Sequence, residues 1–402
     1  MPYVKKAVYN YEAWRAMTQE ELSYMADHFD LLVFDGGWWQ TPEQMATIKN
    51  RNPKAVIFGY KNIMGIYEGT EDWAVVNANE SWFVHDTAGN RIRNTQFGWW
   101  LLDPASGWRG HFLSYVNSKI NYPYYDVLFI DDVYSMWPQW MNSSLSSLPD
   151  ASVMARWASD TRAMLQYVKA NLVAGKLVVV NGAEWGSYLD ITDGYCAEGF
   201  THGSGNDLSY HGTTEHIMYD IDLIAHDSAT GAIIWLASGA MPTGDVEQTA
   251  KFCYVAALLA ANGSNVYFSF NNFNSADGNR GYYPFMDVDV GSPTGAYYIS
   301  QNVYMRDYTG GKVLFNPSGN SYTVNLGGNY KLLDGTVVSS IIMEPWTGEI
   351  LLAEVPPTPP IEPLFPRVRE IASAFPRITA IYTRIDEIRL KRVEGETKEG
   401  VL

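Results

Sequence analysis

Eight short apolar runs recur along the first 272 residues of this 402-residue chain, and stretches with helical signals separate most of them. The runs are "KAVYNY" (6–11), "DLLVFDGG" (30–37), "KAVIFGYKN" (54–62), "DVLFIDD" (126–132), "KLVVVNGA" (176–183), "DGYCAEGF" (193–200), "GAIIWLASG" (231–239) and "NVYFSFNN" (265–272). Continuous apolar strands belong to parallel sheets covered on both faces, because both side-chain faces are then buried. The stretches between them carry helix starts. Thr18 has Glu21 three residues on, and Thr41 is followed by Pro42 and then Gln44; in such boxes cap and third residue satisfy each other's amides. Helices are also expected around 105–120, 152–172, 214–228 and, capped by Asp245, 246–261. Only a short connection joins the fifth and sixth runs. Eight units in about 290 residues predict a (β/α)8 TIM barrel rather than an open doubly wound sheet. No glycine-rich phosphate fingerprint follows the first strand, which weakens a dinucleotide-binding alternative.

Beyond residue 300 the pattern changes to short alternating runs broken by Asn-Pro, Gly-Gly and Asp-Gly turns. Such a pattern predicts a small antiparallel β domain. The expected organisation is a catalytic barrel over 1–300, a β-sandwich-like domain over 301–354, a stiff proline-rich linker over 355–366 and a short amphipathic helical C-terminal tail over 367–402. In the tail, Val368, Ile371, Phe375, Ile378, Tyr382, Ile385 and Ile388 form a stripe of the a/d type, interrupted by Pro376. One reading is a helix docked on the barrel. The other is a segment for homo-oligomerisation or for attachment to a larger assembly.

The formal charge is −16, from 28 basic and 44 acidic residues. Nucleic-acid phosphates are bound by Lys and Arg, so this balance opposes a nucleic-acid partner and equally an anionic membrane. Two cysteines, Cys196 and Cys253, are too few for a disulfide framework and lack ligand spacing. They read as buried small hydrophobes. No apolar run approaches the roughly 20 residues of a membrane span, and the first residues lack a leader's apolar core. The default localisation is therefore cytoplasmic, with an extracellular or virion-associated place through the tail as the alternative.

In barrels of this type chemistry sits at the C-terminal ends of the strands. There the chain carries Asp35 after run two, Asp131 and Asp132 at the end of run four, Glu184 after run five, Glu198 in run six, and Asn271 and Asn272 in run eight. His202 and His211 do not gather into a ligand pattern, so no metal and no cofactor are expected. Two carboxylates facing each other across a barrel mouth suit glycosidic bond cleavage, one as nucleophile or base and one as acid. Aromatic residues make up 14% of the chain, and their ring faces serve equally as core and as platforms for sugar rings. Strand alternation puts Val127, Phe129 and Asp131 on one face and Leu128, Ile130 and Asp132 on the other. Only one of the paired acids is then expected to point into the mouth.

Four segments, "WFVHDTAGNRI" (82–92), "WWLLDPASGWRGHFLSYV" (99–116), "VLFIDDV" (127–133) and "DGYCAEGF" (193–200), resemble glycoside-hydrolase-like family fifteen. That family consists of TIM-barrel proteins grouped with α-galactosidase and α-amylase-like barrels. "VLFNPSGNSYTVNLGGNYKLLDG" is similar to its small C-terminal sandwich, so the resemblance reaches the proline linker. The resemblance implies that the strand-4 aspartate is Asp131, with Asp132 standing where the family has asparagine. It also implies that the strand-6 glutamate is Glu198. An α-amylase-like placement after strand 5 would favour Glu184 instead, which remains the runner-up.

The expected function is glycoside hydrolysis of a poly- or oligosaccharide. Asp131 is the candidate nucleophile or electrostatic stabiliser and Glu198 the candidate general acid. Asp132 is an accessory that holds the rim or a neighbouring loop. Asp35, Tyr60, Asp103, Trp185, Trp235 and His202 are candidate sugar contacts. The alternative is a carbohydrate-binding or structural component of a surface or virion assembly that uses the barrel as a scaffold.

Overall fold

The computed structural model describes residues 3–10, 17–34, 41–182, 184–201, 213–240, 245–272 and 280–354, without the side chains of Asn10, Ala240, Asn271 and Asn272. Asp35, His202, His211, the proline-rich linker and the amphipathic tail lie outside the described residues.

Eight parallel strands close on themselves in chain order. They are β1 (Lys5–Asn10), β2 (Leu31–Phe34), β3 (Val56–Asn62), β4 (Val127–Asp131), β5 (Leu177–Val180), β6 (Gly194–Glu198), β7 (Ile233–Ala240) and β8 (Val266–Asn272), and β8 pairs back to β1. Among the described residues, seven helices surround or join them: α1 (Gln19–His28), α2 (Pro42–Arg51), the short α3 (Trp73–Asn77), α4 (Trp108–Ile120), α5 (Ala151–Asn171), α6 (Thr214–Ser228) and α7 (Val246–Ala260). The expected (β/α)8 barrel is the fold of the chain. Both predicted capping boxes form: Thr18 accepts from the Glu21 amide and Thr41 from the Gln44 amide, with each partner side chain reaching back. Asp245 caps α7 by accepting from the Gln248 amide at 3.0 Å. As expected, β5 and β6 are joined without a helix.

Alternation along the strands divides the apolar residues in two. Ala7, Leu31, Val33, Phe58, Val127, Phe129, Val179, Cys196 and Trp235 fill the barrel interior. Leu32, Ile57, Leu128, Ile130 and Val178 face outward into the shell under the helices. Phe129 lies 5.3 Å from Trp235 and 5.9 Å from Phe58, centroid to centroid, so aromatic rings plug the barrel. Both cysteines are buried and unpaired.

The segment between β3 and α4 adds a two-stranded ribbon of Gly65–Ile66 and Trp100–Leu101. Trp108 anchors it by donating its indole N–H to the Ile63 carbonyl at 2.7 Å. Nearby, buried Lys61 on β3 pairs with Asp72 at 2.9 Å.

After the barrel come β9 (Tyr298–Ser300), β10 (Val303–Tyr308), β11 (Gly311–Asn316), β12 (Tyr322–Lys331), β13 (Val337–Met343) and β14 (Thr347–Ala353). They form one six-stranded antiparallel sheet in the order β9-β10-β11-β14-β12-β13, the small antiparallel β domain expected after the barrel. The sheet packs on α7, with Phe252 stacked on Phe315 at 4.6 Å. Arg306 of β10 donates to the carbonyls of Leu258, Leu259 and Ala261, which the end of α7 leaves without helical partners. Among the described residues, no helix is long and apolar enough to cross a membrane.

Candidate active site

At the C-terminal ends of the strands lies a cavity of about 380 Å³, lined by Asp131, Asp132 and Glu198 together with Tyr60, Asn181, Trp235 and a ring of further aromatic residues. Its floor is the top of the barrel plug. Trp235 is held there by its indole N–H, which donates to Ser269 Oγ at 2.8 Å, and by stacking on Tyr9 at 5.6 Å.

Asp131 ends β4 on the inward face, in line with Val127 and Phe129, as alternation requires. Three donors fix its carboxylate. Tyr60 donates its hydroxyl to Oδ2 at 2.8 Å, Asn181 donates Nδ2–H to Oδ1 at 2.9 Å, and the Asp132 amide donates to Oδ1 at 2.9 Å. Tyr60 is positioned by register, since it pairs with Phe129 across the β3–β4 ladder.

Glu198 ends β6, inward like Cys196 two residues before it. Its Oε2 accepts from the same Asn181 Nδ2 at 2.7 Å. The two acceptor oxygens are therefore at most 5.6 Å apart, the sum of the two bond lengths. The side chain opens into the cavity, yet the barrel mouth crowds it with protein. That desolvation, and then the negative charge of Asp131, push its pKa up against the smaller opposing effect of the Asn181 bond.

Asn181 is held by its backbone. Its N–H donates to the Ile130 carbonyl at 2.9 Å, and its carbonyl accepts from the Val133 amide at 2.8 Å. Gly182 follows at φ 103, where a Cβ would sit 3.0 Å from the Val133 amide nitrogen. Only glycine lets β5 end this close to the turn after β4.

Alternation predicted that only one of the paired acids points into the mouth, and the structure corrects this. The ladder stops at Asp131, and Asp132 adopts the left-handed region at φ 57, which turns its carboxylate back to the cavity. A non-glycine residue in that region carries a cost that its surroundings must overcome. Here Tyr134 donates its hydroxyl to Oδ1 at 2.8 Å, and Asn62 donates to Oδ2. Burial first, and the Asp131 charge second, raise the Asp132 pKa to about 7, while the Tyr134 and Asn62 bonds oppose the rise. The mouth thus holds three carboxylates, two of which favour protonation.

The remaining sequence candidates divide between cavity and scaffold. Tyr60 and Trp235 line the cavity. Glu184 does not; it is exposed, and its carbonyl accepts from the Ser187 amide in a turn after β5. Trp185 packs against the core with its ring 6.4 Å from Phe200. Asp103 is bound to Arg156 of α5 and caps the Ala105 amide. Among the described residues, no group of three or more His, Cys, Asp or Glu side chains is arranged to hold a metal ion.

Sequence reasoning passed over Asn62, Asn181 and Tyr134. Asn62 and Asn181 each stand at the end of an apolar strand, where asparagine reads as an ordinary turn residue. Their one signal was position, level with the acids of the neighbouring strands. Also unforeseen individually were Tyr67, Phe97 and Trp140, which line the mouth from the loops around it.

Among solved structures, the noncanonic maltogenic α-amylase AmyB from Thermotoga neapolitana is similar with a TM-score of 0.54 at 10% identity, over 88% of this chain and 99% of that one. The GH36 α-galactosidase AgaB from Geobacillus stearothermophilus gives 0.48 at 12% identity, over 87% of this chain and 55% of that one. The chain thus spans about half the length of that α-galactosidase. The glycoside hydrolase domain of PelA from Pseudomonas aeruginosa gives 0.45 at 14% identity, over 72% of this chain and 97% of that one. At such identities the likeness is one of fold. No curated protein sequence matches the chain. The sequence model of hypothetical glycosyl hydrolase family 15 matches residues 49–312, which span β4, β5, β6 and the cavity they build. With more than half of its length matched, the chain belongs to that family.

Proposed function

We propose that the protein is a retaining glycoside hydrolase, with Asp131 as nucleophile and Glu198 as acid and then base. The observation that carries this reading is the single Asn181 donor shared by the two carboxylates. An oxygen pair at most 5.6 Å apart is in keeping with the roughly 5–5.5 Å between the carboxyls of retaining enzymes and favours that spacing over the roughly 6.5–9.5 Å of inverting ones.

The two environments support different roles. Asp131 receives three donors, which orient it for attack on an anomeric carbon. Glu198 has its pKa raised, so it holds a proton that it can give to the leaving oxygen. In the first step an Asp131 oxygen bonds to the anomeric carbon, the glycosidic C–O bond breaks, and the Glu198 proton goes to the departing oxygen. In the second step Glu198 takes a proton from water, the water oxygen bonds to the anomeric carbon, and Asp131 is released as a carboxylate. Trp235, Tyr9 and Tyr60 supply an apolar floor with polar edges, suited to a sugar ring.

The test is product stereochemistry, read by proton NMR during hydrolysis of a panel of α- and β-linked oligosaccharides. The expected first product keeps the anomeric configuration of the bond that was cut. A product of inverted configuration removes Asp131 as nucleophile, and binding without cleavage across the panel removes the enzyme reading altogether.

A further inference from the structure

Two loops at the cavity mouth are joined to each other more firmly than either needs for its own turn. Residues 93–98 carry Phe97, and the 3-10 turn Gln139–Ser144 carries Trp140. The Thr95 amide donates to the Ser144 carbonyl at 2.6 Å, Ser144 Oγ donates to Gln96 Oε1 at 2.9 Å, and the Arg93 amide donates to Ser146 Oγ at 3.0 Å. Asn94 Oδ1 accepts from the Phe97 amide at 2.9 Å and fixes the tip. These loops bury apolar side chains readily: Trp99, Trp137 and Met141 are 2%, 7% and 0% exposed. Phe97 and Trp140 nevertheless stand 50% and 57% exposed, and both line the cavity that holds the acids. Tyr67, which follows the Gly65–Ile66 strand paired with Trp100–Leu101, is 43% exposed and lines it too.

The chemistry of the two loops narrows what they hold. Apart from Arg93, whose guanidinium donates to the Gly98 carbonyl, residues 93–102 and 133–149 contain no Asp, Glu, Lys or Arg, in a chain with 18% charged residues and a net charge of −16. Aromatic rings among neutral amides and hydroxyls match a sugar, which offers an apolar ring face and a rim of hydroxyls. They offer nothing to a charged group, and the negative charge of Asp131 below repels an anionic one.

We propose that Phe97, Trp140 and Tyr67 form a carbohydrate-binding subsite for an uncharged glycan chain that continues out of the catalytic cavity. The inference rests on the glycosidase reading and adds that the substrate is a neutral chain several sugars long, gripped outside the cavity by stacking. The joined loops present Phe97 and Trp140 in fixed positions, so little ordering opposes binding.

The test uses the full chain carrying Glu198→Gln, so that bound sugar is not cleaved. Tryptophan fluorescence is followed with neutral cello-, malto-, manno- and galacto-oligosaccharides of two to six units, and wild-type hydrolysis of the same series is recorded in parallel. In at least one series affinity rises with chain length, and Phe97→Ala and Trp140→Ala each remove about tenfold of that gain, while Trp140→Phe keeps most of it. Both side chains are half exposed, and circular dichroism confirms the fold of each variant. If the wild type cleaves a series but affinity ignores chain length or both variants, the subsite is overturned and the glycosidase reading stands. If no neutral series is bound or cleaved, both fall. If instead the variants abolish self-association seen by light scattering, the rim is a contact between copies and the proposal is overturned.

Discussion

Asp131 and Glu198 receive their hydrogen bonds from the same atom, Asn181 Nδ2, at 2.9 and 2.7 Å. The strands β4 and β6 that carry them are not neighbours; β5 lies between them and is followed at once by the residue that bridges them. One amide thus sets the carboxylate spacing, its two hydrogens addressing one acid each. A glutamic acid whose Oε2 accepts from Asn181 keeps its own proton for Oε1, the oxygen free to meet a leaving group.

Removing that amide should therefore disturb catalysis more than binding. For Asn181→Ala we expect kcat to fall about 10²-fold, the scale of a small misplacement of reacting groups, with KM nearly unchanged. The lost bond was lowering the Glu198 pKa. Without it that pKa rises further, and the alkaline limb of kcat/KM against pH moves to higher pH. Asn181→Asp adds a negative charge and moves the limb further in the same direction. A limb that stays in place in both variants separates Asn181 from the acid.

Asp132 makes stability depend on pH. Its pKa rises from an ordinary 3.8 to about 7 on folding. The folded protein therefore holds a proton that the unfolded chain has released, and stability falls as pH rises from about 4 through about 7. Denaturant unfolding at pH 5 and pH 8 should show the wild type less stable at pH 8. In Asp132→Asn, which has no charge to bury, the loss should shrink by about 1 kcal/mol or more. An equal loss in both proteins contradicts a buried, protonated Asp132.

Arg306 is one of the polar anchors between barrel and sheet, with its guanidinium on three carbonyls at the end of α7. Arg306→Met keeps much of the apolar stem but takes the guanidinium from the Leu259 and Ala261 carbonyls, leaving Leu258 with the Tyr308 hydroxyl alone. A loss of about 2–4 kcal/mol is expected from unfolding curves. The cavity lies at the strand ends, lined by none of these groups, so the activity of the folded fraction should persist.

The barrel was legible because its strands bury both faces: "VLFI" in β4 and "LVVV" in β5 have no polar residue to suggest a solvated side. Helix starts were legible at Thr18, Thr41 and Asp245 because capping is a local interaction. Alternation separated Asp131 from Asp132 without saying which face is inward, and the family resemblance pointed to Asp131. Asp132 was misread because alternation holds only while the ladder continues, and one left-handed residue reverses it. Asn181 and Asn62 were invisible because their partners lie 50 and 70 residues away in the chain. The exposure of Phe97 and Trp140 depends on how two distant loops join, which no local pattern encodes.

The central claim is that Asp131 and Glu198, rather than Glu184, carry the chemistry. Initial rates of glycan hydrolysis for wild type, Asp131→Asn, Glu198→Gln and Glu184→Gln test it most directly. Losses of at least about 10³-fold are expected for the first two variants, with Glu184→Gln within a few-fold of wild type. A Glu198→Gln enzyme at the wild-type rate, or a Glu184→Gln enzyme that has lost activity, would contradict it.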